Sequence, residues 1–153
     1  MRIAIIIGDY NEKVTQGLLK GAKKVLEAKK VSFAESDDII RASGAFEIPL
    51  IAKVAAQSGI YDGIIALGSV VKGSTAHFEF ISLASTIGIL ETTLQTEIPI
   101  SFGILTTYNQ DQAIERSKDD AFNKGKEAAI ACLETISTLQ DLRSRNKKLS
   151  LNS

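Results

Sequence analysis

Apolar residues along this chain fall into two alternating textures. Short runs with almost no polar interruption read as strands covered on both faces; residues 2–7, RIAIII, are the clearest case. Longer stretches carry their apolar residues at helical spacing. In residues 12–30, Val14, Leu18, Ala22, Val25 and Leu26 share one side and lysines take the other, which predicts an amphipathic helix. Residues 31–42 hold a less regular strand region, VSFAES followed by IIRA, and residues 46–57 read as a helix with Pro49 in its first turn, where a missing N–H does no harm. Residues 61–67 predict a third strand, 68–75 a glycine-bounded loop, 76–95 a long apolar helix, and 98–105 a fourth strand. Residues 109–117 and 123–140 read as two further helices, and a polar tail from Asp141 with four basic residues is expected to fray.

Strands that alternate with helices imply a parallel sheet with helices on both faces, a three-layer αβα sandwich with four strands. Ligands in such sheets bind beyond the carboxyl ends of the strands. The segments to inspect are therefore 8–11, 43–47, 68–77 and 106–109. There is no internal repeat and no low-complexity linker. We expect a single domain over 1–140 and a tail over 141–153.

Composition narrows the function. A chain of 153 residues fits one domain. With 18 basic and 18 acidic residues the formal charge is zero, which argues against a general nucleic-acid binder. At 44% hydrophobic residues, a neutral surface also makes self-association expected. The lone Cys132 permits no intrachain disulfide, and the lone His77 excludes a multi-histidine metal site. Cys132 falls on an apolar helix face with Ala128, Ala129, Ile136 and Leu139, so it reads as core. No apolar run reaches the ~20 residues of a membrane span. MRIAIII lacks the layout of a signal peptide, so a cytoplasmic protein is expected.

Chemistry concentrates in Leu67–His77, LGSVVKGSTAH. Gly73, Ser74 and Thr75 at a helix entry offer free amides and hydroxyls that suit a phosphate, or else a simple N-cap. The segment lacks the GxxxxGK[ST] pattern of a P-loop. His77 follows; its unperturbed pKa near neutrality fits a proton shuttle, although a lone histidine also serves to bond a helix end. Ala45, Phe46 and Glu47 lie in a second small-residue turn, where Glu47 can accept from ligand hydroxyls or merely complement a helix dipole. Tyr10 at the end of the first strand can stack on a flat heterocycle, with Asn11 as a ligand contact or a cap. Phe102 is a ring wall or core. Arg116 suits a phosphate, or else pairs with Asp119 or Asp120. Lys124 is a ligand contact or one more solvated lysine.

Taken in order, the Tyr-Asn turn, GAFEIP, ALGSVVKGSTAHFEF, FGILTT, QAIERS and NKGKEAA resemble the lumazine synthase family from about residue 3 to residue 138. GAFEIP together with the GxTxHF(D/E) element is specific to it. The resemblance implies a flavodoxin-like fold and a transferase of riboflavin biosynthesis. It would condense 5-amino-6-(D-ribitylamino)uracil with 3,4-dihydroxy-2-butanone 4-phosphate to give 6,7-dimethyl-8-ribityllumazine, phosphate and water. No metal or other cofactor is implied. Tyr10 then corresponds to a ring stacked on the pyrimidine, with Asn11 beside it. Ala45, Phe46 and Glu47 match the segment that holds the ribityl chain and ring edge, and Ser69, Val70 and Val71 match strand-end contacts to the pyrimidine. Ser74 and Thr75 match the phosphate turn and His77 the proton-transfer histidine. Phe102, Arg116 and Lys124 match residues supplied by a neighbouring subunit: ring wall, phosphate ligand and pyrimidine contact.

The partners implied are small-molecule substrates and further copies of the chain: a homopentamer with active sites at subunit interfaces, extending to a decamer or sixty-subunit shell, with riboflavin synthase as a further partner. Nucleic acid and membrane are not expected. The chain departs from the family pattern at Tyr10 for Phe, Lys72 for Arg, Ala76 for Pro or Thr, and Ser43 for Pro. The largest departure is Ser117–Phe122, SKDDAF, where many relatives read AGTKAG. It places two acids beside the expected phosphate site. The chain also opens at its first strand, without the extension some relatives use to contact a neighbour, so the shell is less supported than the pentamer. Competing readings are an archaeal-type riboflavin synthase, which has no phosphate substrate for GSTAHF to serve, a non-catalytic flavin- or lumazine-binding module, and a purely structural shell subunit.

Overall fold

The computed structural model describes residues 1–151. Four parallel strands, β1 (Ile3–Gly8), β2 (Ile39–Ala42), β3 (Gly63–Val71) and β4 (Ile100–Thr107), form one sheet in the order β2-β1-β3-β4. Helices α1 (Glu12–Ala28) and α6 (Lys124–Leu151) belong to one face of the sheet, α3 (Ile48–Gln57) and α4 (His77–Thr96) to the other. Two short helices complete the chain, α2 (Glu35–Asp38) and α5 (Gln110–Glu115).

The expected three-layer αβα sandwich with a four-stranded parallel sheet is thus present, and the flavodoxin-like description fits it. β1 shows how the sequence sets the layers. Successive strand side chains point to opposite faces. Ile3, Ile5 and Ile7 accordingly join Val14, Leu18 and Leu26 of α1 in one core, while Ala4 and Ile6 join Ala52 of α3 in the other. A strand buried on both faces must be apolar at every position, and all of β1 is buried.

Several boundaries differ from the sequence reading. β3 continues through Gly68–Val71, which the glycine had marked as loop, because Gly68 to Val71 pair in register with Ile104 to Thr107. The loop before α4 therefore shrinks to residues 72–76. In the irregular 31–42 region, Ser32 makes only an isolated bridge to Arg2, and the turn of α2 precedes β2. That turn exists because the buried Asp38 carboxylate accepts from the Ala34 amide at 2.7 Å and from Arg2 Nε at 2.9 Å. α6 runs on to Leu151 in place of a frayed tail from Asp141. Residues 152 and 153 of that tail lie outside the described residues. Among the described residues no helix is long and apolar enough to cross a membrane.

Candidate functional site

The chain leaves β1 for β2 on one side and returns to β3 on the other, so the carboxyl ends of β1 and β3 diverge into a crevice. A hollow of about 530 Å³ opens there. Its walls hold Tyr10 and Asn11 after β1, Ala45, Phe46 and Glu47 before α3, Ser69, Val70 and Val71 of β3, and His77 at the start of α4. The topology thus brings together nine of the residues singled out from the sequence.

Each wall has a local cause. Asn11 adopts a left-handed backbone (φ 58°), which Asn tolerates better than most residues. Its side chain caps nothing; Nδ2 donates to the Ser69 carbonyl at 3.1 Å and ties the β1 turn to the end of β3. The Ala45 carbonyl accepts from the buried Ser85 hydroxyl at 3.1 Å, which fixes the second turn against α4. Glu47 folds its carboxylate back over Gly44, where a Cβ would sit 3.2 Å from Oε2. Tyr10 is 74% exposed and Phe46 58% exposed, so both rings have free faces. The Ser69 hydroxyl is buried and has no hydrogen-bond partner among the described residues. A buried orphan hydroxyl costs about 1–3 kcal/mol unless something bonds it, and this one lies in the wall of a hollow.

His77 is exposed, and its backbone amide donates to the Thr75 hydroxyl at 3.4 Å. Ser74 and Thr75 are exposed in the turn before it, outside the wall of this hollow. The cap position itself is Ala76, which offers no side-chain acceptor, so the Thr75 hydroxyl is the side chain that meets the first amide of α4. Lys72 is drawn to Glu79 at 3.2 Å and lies over the Tyr108 ring at 5.8 Å. Glu79's own backbone amide, and then Lys72, hold that carboxyl below its ordinary value.

Phe102, Arg116 and Lys124 are elsewhere. They line a groove of about 790 Å³ along the edge strand β4, beside α5 and α6. Arg116 ends α5, and no ion pair reaches its guanidinium among the described residues. The alternative partnership with Asp119 or Asp120 does not form. Asp119 is claimed by Lys24 and by Lys126 at 3.1 Å, which hold its carboxyl far below the usual range. Asp120 turns its carboxylate to the Phe122 amide at 2.8 Å. Lys124 pairs with Glu127 on its own helix. Phe102 is 40% exposed on the outer strand, so it is a wall more than a core residue. Cys132 is buried in the α1/α6 core, and desolvation pushes its thiol up to about 12.

Sequence reasoning passed over two residues. Thr107 ends β4 in the groove wall with a second orphan buried hydroxyl; its only signal was the Thr-Thr pair closing a strand. Asn123 is completely buried in front of α6. Its signal was indirect: Gly17 and Gly21, one turn apart inside a helix, mark a close approach.

A sequence model described as 6,7-dimethyl-8-ribityllumazine synthase matches residues 1–140. Among curated proteins, the chain is 55% identical over 142 residues to 6,7-dimethyl-8-ribityllumazine synthase 1 of Caulobacter vibrioides. That alignment covers 93% of this chain and 92% of the relative.

Proposed function

The chain belongs to the 6,7-dimethyl-8-ribityllumazine synthase family, and on that premise we propose that its two hollows are halves of one active site, joined when copies of the chain assemble. It is a transferase of riboflavin biosynthesis that condenses 5-amino-6-(D-ribitylamino)uracil with 3,4-dihydroxy-2-butanone 4-phosphate. The observation that carries the proposal is the separation of the predicted groups. Tyr10, Glu47, Ser69 and His77 line the switch-point hollow, while Phe102, Arg116 and Lys124 line the edge groove.

In this reading the pyrimidine stacks on Tyr10 and bonds the strand end at Ser69–Val71, which gives the orphan Ser69 hydroxyl its partner. Asn11, occupied with the Ser69 carbonyl, holds that wall and presents its turn. Ala45, Phe46 and Glu47 receive the ribityl chain. His77 moves the protons that imine formation requires. Arg116 from a second copy, with the Ser74–Thr75 turn, binds the phosphate and stabilises its departure as an anion. Phe102 closes over the ring and Lys124 contacts its edge. Holding two substrates in register contributes much of the remaining acceleration.

Assembly has its own support. Phe80, Leu83, Ile87, Leu90 and Leu94 of α4 are all exposed, and they follow one another by alternating steps of three and four. That spacing is a helix-packing seam left uncovered by the described residues. A homopentamer is the assembly we assign. The direct experiment mixes purified protein with both substrates and follows lumazine absorbance. No rate above the spontaneous reaction would sink the reading.

A further inference from the structure

Between the two cations of the edge groove stands Asn123, which the reaction itself leaves without a role. It is fully buried. Its amide nitrogen lies 3.1 Å from the Gly17 carbonyl of α1, 3.0 Å from that of Ser117 and 2.8 Å from that of Lys118. Its Oδ1 accepts from the Gly125 and Lys126 amides at 2.9 and 3.1 Å, which caps α6. One side chain thus fastens the segment leaving Arg116, the start of the helix bearing Lys124, and the helix beneath both. The surroundings are shaped around it: a Cβ on Gly21 would lie 2.1 Å from Oδ1.

We propose that Asn123 is a positioning residue that sets Arg116 for the phosphorylated substrate, a role that rests on the reading of Arg116 given above. Capping alone needs only the acceptor oxygen, and Ser would supply that. The three carbonyls need the amide's two N–H groups, which Ser and Asp lack. Among the described residues Arg116 forms no ion pair, so its place is set by the backbone that carries it, and Asn123 clamps that backbone at the two residues that follow.

The test uses the assembled enzyme carrying Asn123→Ser. The expected result is a Michaelis constant for the ketone phosphate raised about tenfold, the equivalent of one lost hydrogen bond, with that for the pyrimidine within about twofold. Asn123→Asp, which sets a negative charge against the carbonyls, is expected to raise it further. In an Arg116→Ala background, Asn123→Ser should add no further rise. A ketone constant unchanged by Asn123→Ser, whatever the melting temperature does, overturns the proposal, as does a rise that simply adds to that of Arg116→Ala. Should Asn123→Ser fail to fold, Gly21→Ala, which crowds the clamp while keeping its donors, decides on the same readout: a ketone-selective rise supports the role and its absence overturns it. If Arg116→Ala alone leaves the ketone constant unchanged, the reading of Arg116 fails, and the proposal with it.

Discussion

The Lys124 amide donates to the Arg116 carbonyl at 2.9 Å, so the two cations assigned to the shared site stand at the two ends of one closed loop. The loop is the segment in which this chain departs most from the family pattern. Its acids do not reach Arg116, because α1 and α6 supply lysines that take Asp119. The divergence therefore leaves the guanidinium available.

Arg116→Ala should weaken the ketone phosphate selectively. A charge-assisted hydrogen bond is worth about 1.5–3 kcal/mol, so the Michaelis constant for that substrate should rise about tenfold to a hundredfold while that for the pyrimidine changes little. Steady-state kinetics with each substrate varied in turn measures this. Equal losses for both would count against the assignment.

His77→Ala should slow turnover about a hundredfold, the low end for a proton shuttle, and leave measurable activity, because substrate positioning survives its loss. Mixing His77→Ala with Arg116→Ala subunits under conditions that exchange chains should then restore activity. Roughly a quarter of randomly formed interfaces would pair an intact His77 with an intact Arg116. A mixture no more active than its components would show that one chain supplies both groups.

Much of this was legible in the sequence where one local rule acted alone. The all-apolar β1 reads as a strand covered on both faces, and it is one. GAFEIP and the segment ending at His77 identify themselves through residue order, and the hollow they line sits at the expected strand ends. Legibility failed where a distant partner decided. Gly68 suggested a loop, yet pairing with β4 carries the strand to Val71 and buries Ser69. Asn123 stands at the predicted start of the last helix with no role read for it, and its bond to Gly17 across the fold is invisible to any local pattern. The unpaired state of Arg116 depends on lysines from α1, about a hundred residues earlier in the chain.

The α4 seam predicts that Leu83→Lys with Leu90→Lys breaks assembly. Each places a charge in a face that has to be desolvated on packing. Native mass measurement should show smaller species, and activity should fall with the assembly because Arg116 no longer meets His77. A fully assembled variant would mean that α4 faces solvent in the oligomer.

Acid should destabilise the fold through Asp38. Burial raises its carboxyl, but bonds from Arg2 and the Ala34 amide outweigh that and hold it below its ordinary value. A depressed carboxylate contributes stability above its unfolded value, near pH 3.9, and loses it as pH falls toward the lower folded one. Asp38→Asn should melt about 2–4 °C lower at neutral pH, the equivalent of roughly 1 kcal/mol, since Arg2 is half exposed and screened. The gap should close in acid. A constant gap from pH 7 to pH 3 would assign the loss to packing.

Gly17→Ala pits two rules against each other. Inside a helix, Ala is favoured over Gly by about 1 kcal/mol, so propensity alone predicts a rise in melting temperature. In this fold a Cβ at Gly17 would lie 2.4 Å from the Ser117 carbonyl oxygen, a main-chain atom beside the Asn123 clamp. Relieving that overlap requires α1 or the loop to move, and overpacking of this kind costs about 1–3 kcal/mol. The overlap is with main chain, which puts the cost toward the upper end, so the expected net result is a melting temperature lower by up to about 8 °C, seen by calorimetry on the assembled protein. A rise would mean that α1 and the loop are not in the close contact on which the placement of Arg116 depends.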